Sequence, residues 1–406
     1  MIPKTEDGIS GFQFCNLTEG NASKVKNKKD FLRLCKASAI LGTLQAGYTN
    51  FSYVSEATRR ITEREALLGV SITGWMDCSW EGIFDEATLR EGAELVKSVN
   101  KDLAKLLKIN PAARTTCVKP SGNSSTLLGT SSGIHPEHSK RYFRNVQYNK
   151  DEEIVQLIKE VNPKMVEESV WSANKTDYCV SFPITVDNSK LFKKELLGVK
   201  QLQYVKLVQE NWVEHGTNIE LCTYPNTRHN VSNTITVDNW DEVTKYIYDN
   251  RNYFAGISLL SYYGDRAYVQ APFTEVHNAQ EILDMYGNGS LFASGLIVDG
   301  LHAFNDNLWQ ACDTLSGFGL SLDDSDSKDL LKRDWIRRAK QFANRYFNGD
   351  INRMTECLKD CYNFHKWESI MSEYKHINFS KRLKKKIYVE VDTLGSQACA
   401  GGMCEI

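Results

Sequence analysis

Apolar residues recur along this chain with two different spacings, and the two kinds of segment alternate. Residues 31–48 and 84–108 place apolar side chains every three or four positions, as on one buried helix face. Further segments with helical character are 56–66, 151–161, 189–215, 239–250, 290–315 and 328–375. Shorter runs between them predict strands over 11–18, 67–73, 115–118, 142–148, 178–184, 230–237 and 256–260. This alternation predicts an α/β fold in which helices connect parallel strands.

Composition and charge are those of an ordinary globular protein, and they exclude several functional classes. The chain has 406 residues, of which 41% are hydrophobic and 25% charged, and its net charge is −2. This balance argues against the strongly basic surface of proteins that coat nucleic acids. No apolar run approaches the roughly 18 residues of a membrane-spanning helix, and residues 1–10 lack a signal-peptide pattern. We therefore expect neither nucleic acid nor membrane as a partner.

Eleven cysteines are distributed over the whole length of the chain. An odd number of cysteines in a long chain is typical of the reducing cytosol, so a cytoplasmic location is predicted. Any disulfide that these cysteines form is then expected to be redox-active and not a structural cross-link. Core or neutral positions are predicted for Cys35, Cys78, Cys117, Cys179, Cys222 and Cys312.

The most informative stretch is residues 115–136, TTCVKPSGNSSTLLGTSSGIHP. Its first residues are β-branched or small and predict a short buried strand. Pro120 and Gly122 then favour a sharp turn, and the following Asn and Ser residues are typical of a helix N-terminus. Backbone N–H groups at such a corner, together with hydroxyl groups, can bind phosphate or another anion.

This stretch has two other interpretations. It is not a Walker A loop, because no G-x-x-x-x-G-K-[ST] spacing is present. An ordinary strand–turn–helix corner that binds nothing fits the local pattern equally well. The residues of this stretch alone leave that choice open.

Five segments together resemble the C-terminal half of a ribonucleotide reductase. They are GISGFQFCNLTEGN, EREALLGVSITG, KPSGNSSTLLGTSSGIHP, NTITVDNWDEVTKYIYDNRNYFAGISLL and the closing ACAGGMCEI. The chain is most similar to the adenosylcobalamin-dependent, monomeric ribonucleoside-triphosphate reductases. The resemblance runs in order over nearly the whole chain, and its implied cofactor is adenosylcobalamin.

The resemblance implies the second half of a ten-stranded α/β barrel made of two five-stranded parallel halves. Residues 1–320 would form this half-barrel, residues 321–386 a helical C-terminal region, and residues 387–406 a flexible redox-active tail. The Gly-rich composition of residues 393–406 also indicates a mobile tail.

Three cysteines receive redox roles from the resemblance. Cys15 matches the cysteine that, with a partner on the first half-barrel, supplies the electrons that reduce the ribose. Cys399 and Cys404 match the tail dithiol that restores this pair and is itself reduced by thioredoxin. Only sulfur offers such a reversible two-electron couple. The alternatives are a buried free thiol for Cys15, and an inert tail or half a zinc site for the other two.

The resemblance also implies a substrate-phosphate loop in the corner described above. Its residues would be Pro120, Ser121, Gly122, Asn123, Ser124 and Ser125. Helix-terminal N–H groups and hydroxyl groups would hold the phosphates of the ribonucleotide substrate and so orient its ribose. Lys119 is a possible additional cation, or it simply ends the strand.

The family's radical cysteine lies in an Asn-Pro-Cys-x-Glu motif, and this motif is absent from the sequence. We therefore expect a separate N-terminal polypeptide to supply the radical cysteine, so that the two chains together make deoxyribonucleotides for DNA synthesis. The alternative is a catalytically silent remnant that binds only nucleotide or a partner subunit. Substrates are expected to be triphosphates, as the resemblance implies.

Three other residue pairs were considered for functional roles. His135 and His138 could ligate a metal, but turn histidines near a phosphate site are the preferred interpretation. Cys357 and Cys361 are expected to share one face of a helix. Tyr262 and Tyr263 precede a turn signal and are interpreted as surface aromatics, not as a radical-carrying pair.

Overall fold

A computed structural model describes residues 3–186, 191–262, 268–316 and 330–382. Its internal contacts divide these residues into two compact units. The first unit contains residues 3–140, 186 and 191–262; the second contains Arg141–Thr185, 268–316 and 330–382. The predicted domain boundaries near residues 320 and 386 lie outside the described residues, so the three-part division stays a prediction.

The strands, numbered along the chain, are short. They are β1 (Asn16–Asn21), β2 (Leu68–Thr73), β3 (Arg141–Asn149), β4 (Val166–Glu168), β5 (Asp177–Thr185), β6 (Thr234–Val237), β7 (Ser258–Ser261) and β8 (Phe273–Glu275).

Helices account for most of the remaining regular structure. They are α1 (Lys28–Ala46), α2 (Glu56–Glu65), α3 (Glu86–Leu107), α4 (Gly122–Leu128), α5 (Glu153–Val161), α6 (Val199–Val208), α7 (Trp240–Asp249), α8 (Ala279–Tyr286), α9 (Ala293–Ala303), α10 (Leu308–Ser316), α11 (Leu330–Tyr346), α12 (Ile351–Glu373) and α13 (Phe379–Arg382). A π-helical turn, Gln209–Val213, extends α6. Among the described residues, no helix combines the length and apolar character needed to cross a membrane.

Side-chain caps fix the start of the helices that flank the sheet in the first unit. Asn27, Ser55 and Asp85 each accept a hydrogen bond from the backbone N–H three residues later, at the starts of α1, α2 and α3. Such a cap satisfies one of the N–H groups that have no partner inside the helix.

The first unit is organised around a row of parallel strand segments. β1 pairs with β2, with Asn16 opposite Leu68. Parallel bridges then join β2 to residues 114–118 through Val70 and Thr116, and join those residues to Val231 through Val118. β6 follows Val231 and pairs in parallel with β7. The predicted parallel arrangement is therefore confirmed for this unit, but the described strands form an open row, and closure into a barrel is not seen.

The two faces of this row differ in chemistry because side chains alternate along a strand. Leu68, Val70 and Ile72 are buried in the same core as Phe31 of α1 and Trp212 of the π-helical turn. A Cβ atom on Gly42 of α1 would lie 3.4 Å from Leu68, which places this face against the helices. The opposite face carries sulfur, hydroxyl and charged groups, and we call it the polar face.

The second unit contains an antiparallel sheet with strand order β4-β5-β3-β8. β3 and β5 pair along their whole length, with Tyr142 opposite Ile184. Residues 142–148 and 178–184 were expected in a parallel sheet, and that expectation was wrong. The connection between β3 and β5, residues 150–176, contains α5 and β4 and is long enough for the crossover that a parallel pair needs, so its length does not reveal the antiparallel pairing. Only β4 and β5 are joined by a short connection, residues 169–176.

Candidate functional site

The polar face brings together Cys15, Glu19, Ser71, Cys117 and Lys119. Cys15 immediately precedes β1, and Glu19 lies four residues further along the same strand. Ser71 comes from β2, while Cys117 and Lys119 come from the adjacent segment. Contacts across the row place these side chains on one face. The sequence-predicted thiol and the predicted phosphate corner are thus connected by one continuous surface.

Gly69 lies between the two cysteines of this face. A Cβ atom on Gly69 would lie 2.9 Å from the Cys15 sulfur and 3.0 Å from the Cys117 sulfur. It would also lie 2.4 Å from a methyl group of Leu17. Glycine therefore leaves the space into which both thiols project. The sequence analysis placed Cys117 among core or neutral positions, and its nearness to Cys15 depends on a strand register that the local pattern does not reveal.

Cys15 has an imidazole neighbour that the sequence analysis did not single out. The Cys15 sulfur lies 3.9 Å from Nε2 of His229. Nδ1 of His229 lies 3.1 Å from the carbonyl oxygen of Thr116, which favours the tautomer with its proton on Nδ1. Nε2 is then the acceptor that faces the thiol.

Burial keeps this thiol and this imidazole in their neutral forms. It raises the pKa of Cys15 to about 12, and it lowers the pKa of His229 to about 4. Because both shifts oppose charge separation, the pair is a thiol hydrogen-bonded to a neutral imidazole. It is not a thiolate–imidazolium ion pair of the kind that activates a cysteine nucleophile.

The predicted phosphate corner forms the strand–turn–helix shape expected from the sequence. Ser121 precedes α4 with φ of 63°, in the left-handed region that non-glycine residues rarely adopt. The α4 helix begins at Gly122, and the hydroxyl of Ser125 lies 2.9 Å from that of Ser132. Gly122 and Asn123 are exposed. The first-turn N–H groups of a helix lack partners inside it, so the corner has the geometry of an anion-binding turn.

Glu19 reaches from β1 into this corner, and no sequence pattern had indicated it. Its Oε2 accepts hydrogen bonds from the hydroxyls of Ser121 and, at 3.4 Å, Ser124. Its Oε1 accepts one from Ser71 at 2.9 Å, and Nζ of Lys119 lies 3.9 Å away from Oε2. Burial raises the pKa of Glu19, while these hydroxyls and Lys119 act in the opposite direction.

Of the remaining residues singled out from the sequence, some lie outside the described residues and others have structural roles. Cys399, Cys404 and Tyr263 lie outside the described residues. His135 is half-buried, and its Nε2 accepts a hydrogen bond from the Thr234 N–H at 2.8 Å, which is a structural role. The sulfurs of Cys357 and Cys361 lie 4.0 Å apart on α12, as a shared helix face predicts. No cluster of three potential metal ligands occurs within the described ranges.

The fold is shared with a solved ribonucleotide reductase. A crystal structure of a B12-dependent, class II ribonucleotide reductase matches 68% of this chain and 40% of its own, with a TM-score of 0.52 and 19% identity. This likeness confirms the fold class that the resemblance predicted, apart from the barrel.

Curated relatives give the same result at the level of sequence. An adenosylcobalamin-dependent ribonucleoside-triphosphate reductase of Euglena gracilis is 24% identical over 290 residues, covering 68% of this chain and 36% of the relative. One of Lactobacillus acidophilus is 25% identical over 261 residues, covering 56% and 33%. No family model matches the chain. The resemblance inferred from the sequence is confirmed, and the chain spans about a third of the length of these relatives.

Proposed function

We propose that this chain takes part in the reduction of ribonucleotides, specifically ribonucleoside triphosphates, to 2′-deoxyribonucleotides. The observation that carries this proposal is the polar face, where a thiol and the predicted phosphate corner lie along one row of parallel strands. Glu19 lies four positions after Cys15, roughly 13 Å away at the rise of a strand. An extended nucleoside polyphosphate can bridge that separation, with its phosphates at the corner and its ribose toward the thiol.

The thiol of Cys15 would supply half of the reducing equivalents. Reduction of the ribose replaces the 2′ C–OH bond with a C–H bond and releases water, while two thiols lose two electrons and two protons and become a disulfide. The partner thiol would come from the N-terminal half of the reductase. Cys399 and Cys404 would then exchange with this disulfide, and thioredoxin or a similar reductant would restore them.

A separate N-terminal polypeptide would supply the radical cysteine. The sequence contains no Asn-Pro-Cys-x-Glu motif. Residues 3–6 instead read Pro-Lys-Thr-Glu, with a lysine where Pro-Cys-x-Glu has its cysteine. They open a short hairpin in which Lys4 bridges Ser10, just ahead of Cys15. A lysine side chain cannot form a thiyl radical, which supports either supply of the cysteine by another chain or the second function, a silent remnant that only binds nucleotide.

The implied cofactor is adenosylcobalamin, which supplies radical chemistry when bound. A cavity of about 310 Å³ lies in the first unit, lined by residues that include Phe14, Phe51 and Lys108. It is far too small for a corrin ring with its nucleotide tail. This cavity is therefore not the cofactor site, and the roles proposed for the chain's own residues do not depend on where the cofactor binds.

The decisive experiment combines the purified chain with an N-terminal reductase polypeptide, adenosylcobalamin, dithiothreitol and a ribonucleoside triphosphate. Formation of deoxyribonucleotide, measured by chromatography, is expected with the wild-type chain and not with Cys15→Ser. Cys35→Ser, a buried cysteine on α1, is the matched control and should retain activity. Nucleotide binding without product in every mixture would favour the silent remnant instead.

A further inference from the structure

Two hydroxyl groups of the predicted phosphate corner, those of Ser121 and Ser124, are directed at the Glu19 carboxylate. A serine hydroxyl carries a single proton, so it can donate only one hydrogen bond at a time. Ser71 and Ser121 each donate that hydrogen bond to Glu19. The Ser124 hydroxyl lies 3.4 Å from Glu19 and can donate to it as well. Nζ of Lys119 donates to the Ser124 oxygen at 3.3 Å, which leaves the Ser124 proton directed at Glu19.

Phosphate oxygens are acceptors only, and they need the same donors. A phosphate at this corner would meet the lone pairs of Ser121 and Ser124 and the negative charge of Glu19. The Glu19 side chain is only 9% exposed, so water screens its charge weakly. Lys119 is the cation facing it, and Cys117 is the other titratable group whose charge state is coupled to it. One cation would thus be shared between two anions.

We propose that Glu19 is an internal competitor of phosphate, and that a phosphate-bearing ligand binds tightly only when the Glu19 carboxylate releases the serine hydroxyls. This proposal rests on the phosphate role of the corner given under Proposed function. Release can occur by protonation of Glu19 or by rotation of its side chain away from the corner. Either event frees two or three hydroxyl donors and removes one negative charge from beside the ligand.

The test measures binding of inorganic tripolyphosphate by calorimetry, with the full chain, at pH 7.5 and fixed salt. Glu19→Gln removes the charge at constant shape, and Glu19→Ala removes the acceptor altogether. Both are expected to bind the probe about tenfold more tightly than the wild type, since adjacent like charges repel strongly where screening is weak. Glu86→Gln, which removes an exposed carboxylate from α3, is the control for net charge and should bind like the wild type.

The pH dependence of tripolyphosphate binding provides a second test with the same proteins. The ratio of the wild-type and Glu19→Gln dissociation constants cancels the titration of the probe itself. Because burial raises the pKa of Glu19, this ratio should fall toward one as the pH is lowered toward 5. Lys119→Met should weaken binding in both backgrounds, which would locate the probe at this corner.

The outcomes separate this inference from the proposed function. If the wild type binds and Glu19→Gln and Glu19→Ala bind equally well or less well, Glu19 is a structural brace and the competitor role is wrong. If the wild type and both variants, each shown by circular dichroism to be folded, fail to bind, the corner is not a phosphate site. That second result would overturn the substrate-phosphate role as well.

Discussion

At the residue scale, Gly69 has the clearest physical requirement. A side chain there would press on Leu17 and on the sulfurs of Cys15 and Cys117. We predict that Gly69→Ala lowers the free energy of unfolding by about 1–3 kcal/mol, the usual cost of overpacking. Gly295→Ala is the matched control, because no atom lies within 4 Å of its added Cβ and helices prefer alanine. Urea denaturation measures both, and equal stabilities would contradict this account of Gly69.

The burial of His229 predicts how the stability of the fold depends on pH. Burial lowers its folded pKa to about 4, below the ordinary value of 6.5, so only the unfolded chain binds its proton between these values. Its contribution to stability is therefore complete above pH 6.5 and declines as the pH falls toward 4, by about 2 kcal/mol at pH 5.

His229→Gln should accordingly flatten the loss of stability between pH 7 and pH 5 compared with the wild type. Thermal or urea denaturation across this range measures the slope. His365→Gln, on the exposed side of α12, serves as the control for the loss of a histidine. Parallel curves for the wild type and His229→Gln would show that this imidazole is not buried in its neutral form.

The candidate site was only partly predictable at this scale. Cys15 and the corner at residues 120–125 lie in contiguous segments that could be matched in order, and the described structure connects them through one sheet face. Glu19 and His229 gave no signal, because their roles come from contacts more than 100 residues away in sequence. Such contacts follow from strand register, which a local pattern of polar and apolar residues does not encode.

At the scale of elements, a buried ion pair connects α2 to the strand segment 114–118. Glu65 at the end of α2 and Arg114 make a 2.8 Å contact, and both side chains are at most 4% exposed. Arg114 also donates to the carbonyl oxygens of Tyr224 and Thr227 and so holds the loop that leads to His229.

We predict that Glu65→Ala lowers the free energy of unfolding by about 3–5 kcal/mol, because it leaves the Arg114 charge buried without its partner. Glu63→Ala, on the same helix and paired with Arg59 in a more exposed place, should cost less than about 1 kcal/mol. Denaturant unfolding of the two variants tests the difference. Similar losses for both would mean that water reaches Arg114.

Element types were predictable, but their pairing was less so. The short strand at residues 115–118 and the helices 31–48 and 84–108 follow from local composition and spacing. β3 and β5 have the same strand-like composition as the parallel segments, yet they pair in antiparallel fashion. Predicted strand 11–18 begins only at Asn16. The N–H groups of Gly11 and Phe12 donate instead to the Pro3 carbonyl oxygen and the Thr58 hydroxyl, so these residues do not pair with a neighbouring strand.

At the scale of the whole molecule, each unit has its own hydrophobic core. The core of the first unit contains Leu202, and a core of the second contains Leu358; both leucines are fully buried. The chain passes between the units more than once, so the two cores are built from interleaved stretches of sequence. Length and composition could not have predicted this division, because both units draw on residues before 190 and after 190.

Separate cores predict separate unfolding transitions. Leu202→Ala and Leu358→Ala remove the same group from equally buried sites, and each should cost about 2–5 kcal/mol. If the units unfold independently, each substitution shifts one transition in calorimetry and leaves the other unchanged, so the two variants give complementary profiles. A single transition that both substitutions lower equally would instead show one cooperative molecule, in which damage to the α8–α12 region is transmitted to the sheet that carries Cys15 and Glu19.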